Sequence, residues 1–355
     1  MQIEMKAAVL RGIEDLKMVD VEEPSCNSGD ILIKVEACAI CKTDVKMFHA
    51  GHRDLELPRV LGHEVAGTII EVGKGVYKDE FKVGDRVQVA PGLPCGSCPF
   101  CTRGVPNMCD NMEIIGFHRD GGFAEYLLVP ASGVQNGCVN KIPPSLSFEE
   151  ASLAEPIACC INALELCRVE PGDVVAIFGA GPIGHLFAQI ARLFGASEII
   201  VIENSPQRTE FAEKNNLTDV IIDSRDIDID PVEAVREETN INGVDVVIPA
   251  CSAPDVPVQG VKMLNKRGRI VFFSGLPYRY ENISLDHNLI HYKEIQIFGA
   301  YGCTSEQNWK AVRMVSTRRI AVKYLITHCI SLDELIKGFE LIDTHNAMEV
   351  IVTSF

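Results

Sequence analysis

The chain has 355 residues, more than one hydrophobic core comfortably organises, so about two domains are expected. Hydrophobic residues at 47% and charged residues at 23% exclude a disordered chain. The 33 Lys and Arg against 49 Asp and Glu give a net charge of -16 with no basic run, which excludes a nucleic-acid backbone as partner.

The opening MQIEMKAAVL lacks the charged-then-apolar layout of a signal peptide, and no stretch reaches the ~20 apolar residues that span a bilayer. No membrane partner is expected, and the cytoplasm is the expected compartment. Thiols stay reduced there, so a tight cysteine cluster reads as metal binding rather than as disulfides. In chain order, the first part reads as irregular and mostly β. DILIKVEACAI (30–40), EVAGTIIEVG (64–73) and VGDRVQVAP (83–91) are apolar runs closed by turns. FEEASLAEPIACCINALELCRV (148–169) predicts one long helix. Strands and helices then alternate: strand DVVAIF (173–178), helix PIGHLFAQIARLFGA (182–196) and strand EIIVIE (198–203). A helix over 205–216 with Ser205 as its cap follows, and then buried strands at 244–250 and 269–275. This alternation predicts a parallel, doubly wound sheet, so the fold class is α/β plus β. Beyond Tyr292 the chain is expected to end in two helices, SEQNWKAVRMVSTRR and SLDELIKGFELIDT.

GAGPIG (179–184) follows a strand and opens a helix, the context a dinucleotide-binding G-x-G-x-x-G requires. Gly179 allows the tight turn, Gly181 lets the backbone approach a pyrophosphate, and Gly184 lets helix and strand pack closely. Pro182 and Ile183 lie in the first turn, whose free N–H groups face the phosphates. The next strand ends in Glu203, 19 residues after Gly184, where a carboxylate accepts hydrogen bonds from a ribose 2′-OH and repels a 2′-phosphate. NAD is therefore expected over NADP, with Arg208 as a group that would accommodate the extra phosphate. Ser274, closing the strand RIVFFSG, is a further cofactor-side candidate.

CGSCPFCTRGVPNMC places Cys95, Cys98, Cys101 and Cys109 at C-x2-C-x2-C-x7-C spacing. Four thiolates close a tetrahedral shell around Zn2+ and stabilise a loop too polar to order itself. The iron–sulfur alternative would carry C-x3-C-P next, and that is absent. A closed shell offers nothing to a substrate, so a catalytic metal must lie elsewhere. ACAICKTD holds Cys41, VLGHEVAG holds His63 and Glu64, and LAEPIACC holds Glu155. Each is weak alone: a buried Cys is usually packing and a single His usually structural. Together they supply a thiolate, an imidazole and a carboxylate, a three-ligand zinc set with a position left open.

GHEVAG, the four-cysteine segment, DGGFAEY (120–126), AEP, GAGPIG and RGRIVFFSGLP (267–277), in this order, resemble the zinc-dependent medium-chain alcohol and polyol dehydrogenases. The resemblance is nearest to the sorbitol (iditol) dehydrogenase branch, with threonine and galactitol-phosphate dehydrogenases as neighbours. It implies a GroES-like, zinc-binding catalytic domain over 1–152 and 297–355 around a Rossmann domain over 153–296. It implies two zinc ions per chain, one structural and one catalytic, the latter on Cys41, His63 and either Glu64 or Glu155, directly or through water. It implies Thr43 as the hydroxyl that bonds the substrate oxygen, and a homotetramer or homodimer. Many relatives carry a proton-relaying His where this chain has Lys46, and Lys42 replaces a usual Gly. Lys46 is thus a relay only if its pKa is depressed, or a recognition group for an anionic substrate, or a solvated lysine. His49 and His52 are the alternative relays.

The expected reaction is hydride transfer from a secondary alcohol of a polyol or sugar derivative to NAD, giving a ketone. A phosphorylated polyol, a sugar acid or an amino alcohol is the alternative substrate class. A zinc-free quinone reductase on the same scaffold would lack Cys41 and His63. A non-catalytic NAD(H)-binding or sensing protein would not need the open ligand set.

Overall fold

The computed structural model describes residues 4–76, 80–225, 230–239, 243–277 and 279–355. The chain divides into two compact units, one formed by 1–158 with 302–355, the other by 159–301. The expected limits at 152 and 296 fall short of these divisions. The first division lies inside the continuous helix Ala154–Cys167, which no turn signal in the sequence interrupts at that point.

The first unit is built on a seven-stranded sheet. Its path runs through Val139–Lys141, Arg86–Val89, Glu64–Val72, Ile31–Ala39, Glu349–Ser354 and Ile326–Ser331, and Tyr126–Val129 also pairs with Ile31–Ala39. Only the last two strands of the path run parallel. Ile31–Ala39 is buried at seven of its nine positions, as its run of Ile, Leu and Val requires. A hairpin, Glu4–Gly12 with Asp15–Glu22, joins Arg59–Val60 in a second sheet. The structure corrects the expectation that the chain ends in helices. Leu335–Asp343 is a helix, but EVIVTS after it is a strand, as its β-branched residues favour.

The expected single helix over 148–169 is two, Phe148–Ser152 and Ala154–Cys167, broken at Leu153. Pro156 accounts for the break, because its ring has no N–H and would clash with the carbonyl of Ser152 in a continuous helix. The first of the two is held by a capping box between Ser147 and Glu150.

The second unit holds a six-stranded, wholly parallel sheet. Its order is Val220–Asp223, Glu198–Glu203, Val174–Phe178, Val244–Pro249, Leu264–Phe272 and Gln296–Gly299. Strand order reverses at Val174–Phe178, the switch point at which open α/β sheets bind ligands. Val174–Phe178 is buried at every position. The helix Pro182–Phe194 stops at Gly195, which takes the left-handed conformation (φ 107°). Ser205 stands at the N-cap position of Pro206–Lys214, but its hydroxyl makes no cap bond; it faces Gln207 instead.

Candidate zinc and dinucleotide sites

Two segments of the first unit bring Cys41, His63 and Glu64 together, with one ligand atom from each within 4.8 Å of the others. Cys41 is the N-cap of the helix Lys42–Ala50, and its sulfur accepts the Thr43 N–H at 3.4 Å. The sulfur thus lies at the helix end, where free N–H groups present positive partial charge. Gly62 turns the chain into His63 with φ 91°; a Cβ there would lie 2.8 Å from the Cys38 sulfur, so only glycine fits. Glu64 begins the strand Glu64–Val72.

Asp44, which the sequence reading did not single out, organises this set. It is fully buried. One carboxylate oxygen accepts the Cys41 N–H at 3.0 Å, and the other accepts the Gly62 N–H at 3.3 Å. The second oxygen also lies 3.3 Å from His63 Nδ1, in ion-pair range without hydrogen-bond geometry. An acid three residues after an N-cap is a capping-box signal, and that was the clue available in CKTD. A carboxylate behind a metal-ligating imidazole fixes its orientation and raises its basicity.

The electrostatics suit a cation. Burial opposes protonation of His63, yet Asp44 and then Cys41 hold its pKa well above the ordinary value. Burial pushes the Glu64 carboxyl well up, and Cys41, Glu349 and Glu155 add negative charge. His63 Nδ1 and Glu64 Oε2 are buried without a hydrogen bond. Buried polar atoms left so are costly unless something pairs with them, and a thiolate, an imidazole and a carboxylate at this separation fit Zn2+ with one position open.

Glu155, expected as an alternative ligand, lies outside this triad; its carboxylate is instead within 4.8 Å of the Cys303 thiol. Lys42 pairs with Asp343, and His49 places one ring nitrogen against Glu14 and the other against Asp343. Lys46 is exposed.

The four cysteines of the second set have their sulfurs within 4.8 Å of one another. Cys98 Sγ lies 3.5 Å from that of Cys101 and 3.8 Å from that of Cys109. Sulfurs bound at about 2.3 Å to one tetrahedral zinc stand at such separations. Backbone N–H groups of Ser97 and Cys98 draw the Cys95 thiol down to about 5, and burial pushes Cys101 up to about 12. Phe100, Val105 and Met108 are all exposed, so this lobe has little apolar core of its own.

In the second unit, the turn after Val174–Phe178 carries the glycine run. A Cβ on Gly184 would meet the Gly179 carbonyl oxygen at 2.0 Å, so helix and turn approach as closely as the motif demands. Glu203 is buried. One of its oxygens accepts the Ala180 N–H at 2.6 Å, and the other accepts those of Asn204 and Ser205, both at 2.8 Å. It thereby ties the glycine turn to the end of the second strand. The Arg208 guanidinium lies 3.5 Å from where a Cβ on Gly181 would stand. Ser274 lines a cavity of about 230 Å³ with Pro249, Cys251 and Phe272, at the C-terminal ends of two strands. Pro182 and Ile183 occupy the first turn, as expected.

Residues 27–141 match the alcohol dehydrogenase GroES-like domain, and residues 182–317 match the zinc-binding dehydrogenase family. Sorbitol dehydrogenase of Bacillus subtilis is 35% identical over 334 residues, which cover 93% of this chain and 91% of that protein. L-threonine 3-dehydrogenase of Pyrococcus abyssi is 34% identical over 343 residues, 94% of each chain. Among solved structures, 2R,3R-butanediol dehydrogenase of B. subtilis matches with TM-score 0.88 and 29% identity, over 99% of this chain and 100% of the other. A Sinorhizobium meliloti zinc-binding dehydrogenase target, bound to NADP, matches with TM-score 0.90 and 32% identity over 99% and 100%. The chain belongs to the zinc-binding medium-chain alcohol dehydrogenase family. It is an oxidoreductase acting on alcohols, and its relatives include dehydrogenases named for sorbitol and threonine and a D-xylulose reductase. No described helix is long and apolar enough to cross a membrane.

Proposed function

We propose that the protein oxidises a secondary alcohol of a polyol or sugar derivative to a ketone with NAD. The observation that carries this reading is the convergence of Cys41, His63 and Glu64 within 4.8 Å, backed by buried Asp44. In this reading these three hold a catalytic zinc, and Cys95, Cys98, Cys101 and Cys109 hold a structural one. When bound, the catalytic zinc lowers the pKa of a substrate hydroxyl, and NAD takes up the hydride. The remaining work falls to the chain's own groups. Thr43, whose N–H already bonds the Cys41 sulfur, would bring its hydroxyl to the substrate oxygen, accepting that proton as it releases its own to solvent. Asp44 fixes the His63 ring. Glu155 adds negative charge beside Glu64 without joining the triad. The relatives' names, sorbitol dehydrogenase and xylulose reductase among them, favour the polyol class.

The preference for NAD rests on Glu203, anchored by three backbone N–H groups where a 2′-phosphate would lie. Arg208 near Gly181 works the other way, and the NADP-bound structural relative shows that the scaffold tolerates it. We further propose a homodimer or homotetramer in a reducing, cytoplasmic setting. Gln296–Gly299 is an edge strand, with Ile297 exposed and Tyr292 nearby at 77% exposure. No disulfide joins any of the 14 cysteines.

The test follows NADH absorbance with a panel of polyols, sugar acids, sugar phosphates and amino alcohols, with and without a chelator, alongside metal analysis. Turnover of a polyol that the chelator abolishes, with two zinc ions per chain, is expected. No turnover across the panel, or a metal-free active enzyme, overturns the reading. Light scattering of wild type and Ile297→Lys tests the assembly.

A further inference from the structure

Phe117 is buried, and its ring joins two histidines. It meets His63 of the zinc-ligand triad edge-on at 5.5 Å between centroids, and His52 edge-on at 5.3 Å. Beyond it, His118 and Lys46 both act electrostatically on His52. His52 Nδ1 accepts the Asp54 N–H at 3.2 Å. His118 Nδ1 accepts the Ile114 N–H at 3.1 Å. A ring nitrogen that accepts from an amide carries no proton, so both neutral rings are fixed in the tautomer whose Nε2–H donates. Neither Nε2 has a partner among the described residues. Lys46 stands one helical turn beyond Thr43, on the same side of the helix, and forms no ion pair among the described residues.

The neighbouring charges are largely committed. Arg53 pairs with Asp54 at 3.2 Å, and Arg119 pairs with Glu113 at 2.7 Å. Asp54 stands on the Nδ1 side of the His52 ring, 3.7 Å away, and leaves Nε2 free. Burial holds His52 below its ordinary pKa; Asp54 pulls the other way, while Arg53, His118 and Lys46 repel a further positive charge there. In a chain of net charge -16, this corner is short of counter-ion. Two N–H donors and an ammonium complement a group that only accepts. A hydroxyl both donates and accepts and uses such a set poorly; a phosphate or carboxylate uses all of it.

Resting on the dehydrogenase reading above, we propose that Lys46, His52 and His118 form a subsite for an anionic group, phosphate or carboxylate, carried by the substrate at the end remote from the reacting carbon. Phe117 is the apolar wall between that group and the zinc ligands. The neutral polyol is then the poorer substrate, and Lys46 acts in specificity rather than as a proton relay.

The experiment compares kcat/KM for a neutral polyol, its phosphate monoester and the matching sugar acid, using zinc-loaded enzyme at saturating NAD. Wild type, Lys46→Ala, Lys46→Arg and His118→Asn are assayed, and inorganic phosphate binding to each is measured by titration calorimetry. Removing one charge-assisted hydrogen bond corresponds to roughly tenfold. Wild type should prefer one of the anionic substrates; Lys46→Ala and His118→Asn should each cut that preference by about tenfold, and Lys46→Arg should restore part of it. Inorganic phosphate should bind wild type and bind Lys46→Ala more weakly. A wild type that prefers the neutral polyol, or a preference unchanged in both variants, overturns the subsite while leaving the dehydrogenase reading intact. If no substrate of any class turns over, the dehydrogenase reading fails, and phosphate binding then decides the subsite: equal binding to all four proteins overturns it.

Discussion

The two candidate metal-ligating sets of the first unit are built in opposite ways. Cys95, Cys98, Cys101 and Cys109 come from fifteen consecutive residues with little core around them, so there the ligands organise the chain. Cys41, His63 and Glu64 come from a helix cap and a strand start already fixed by the sheet, so there the chain organises the ligands. The first set is all thiol; the second mixes sulfur, nitrogen and oxygen and has an acid behind it. A loop that owes its order to metal and a buried pocket that merely receives metal should fail differently when a ligand is removed.

The sharpest separation is expected from His63→Ala. Activity should fall by about a thousandfold or more, the several kcal/mol that a catalytic metal supplies, with circular dichroism unchanged and bound zinc dropping from two ions to one. Cys98→Ser should do the reverse. Its sulfur sits 3.5 Å from that of Cys101, and its loss should cost roughly 3 kcal/mol of stability and open the lobe to protease. If His63→Ala unfolds the lobe, or Cys98→Ser spares it, the contrast fails.

A buried histidine in the other unit provides a control that neither metal should touch. Burial, with Arg208 adding repulsion, lowers His185 from 6.5 to about 4. The unfolded chain therefore takes up the proton first as pH falls. Stability from this group is full above pH 6.5 and declines to about pH 4, by about 3 kcal/mol at most. Thermal melts across that window should show the loss in wild type, zinc-loaded or stripped, and much less of it in His185→Leu.

Asp44→Asn tests whether the pocket truly orients its ligands. Zinc affinity at the catalytic set should weaken by about 10- to 100-fold, read by competition with a chelator, while the four-cysteine ion stays. The smallest effect belongs to Lys42→Ala. Its ion pair with Asp343 is exposed, and its loss should move stability by less than about 1 kcal/mol.

The contrast also explains what the sequence made legible. The four-cysteine lobe and GAGPIG are local, so spacing alone carries their chemistry. The alternation of strand and helix gave the parallel sheet for the same reason. Cys41, His63, Glu64 and Glu155 were all visible as candidates, but which acid lies within 4.8 Å of both Cys41 and His63 is set by the fold. Asp44 and Phe117 were missed because their contacts extend across the fold, in a bond to Gly62 and a ring contact to His52; only the capping-box position of Asp44 is local. The strand Glu349–Ser354 was missed because the helical pattern before it was stronger than six β-branched and polar residues. Ser205 sits at the cap position, but its hydroxyl turns to the Gln207 side chain.

That overlooked strand sets an order of assembly. It pairs beside Ile31–Ala39, and the Ile40 N–H donates to the Val350 carbonyl, one residue from Cys41. During synthesis, residues 159–301 emerge before residue 349 does, so the nucleotide-binding unit has all its strands while the zinc-binding sheet still lacks a neighbour. Until residue 350 is made, the backbone beside Cys41 lacks that bond.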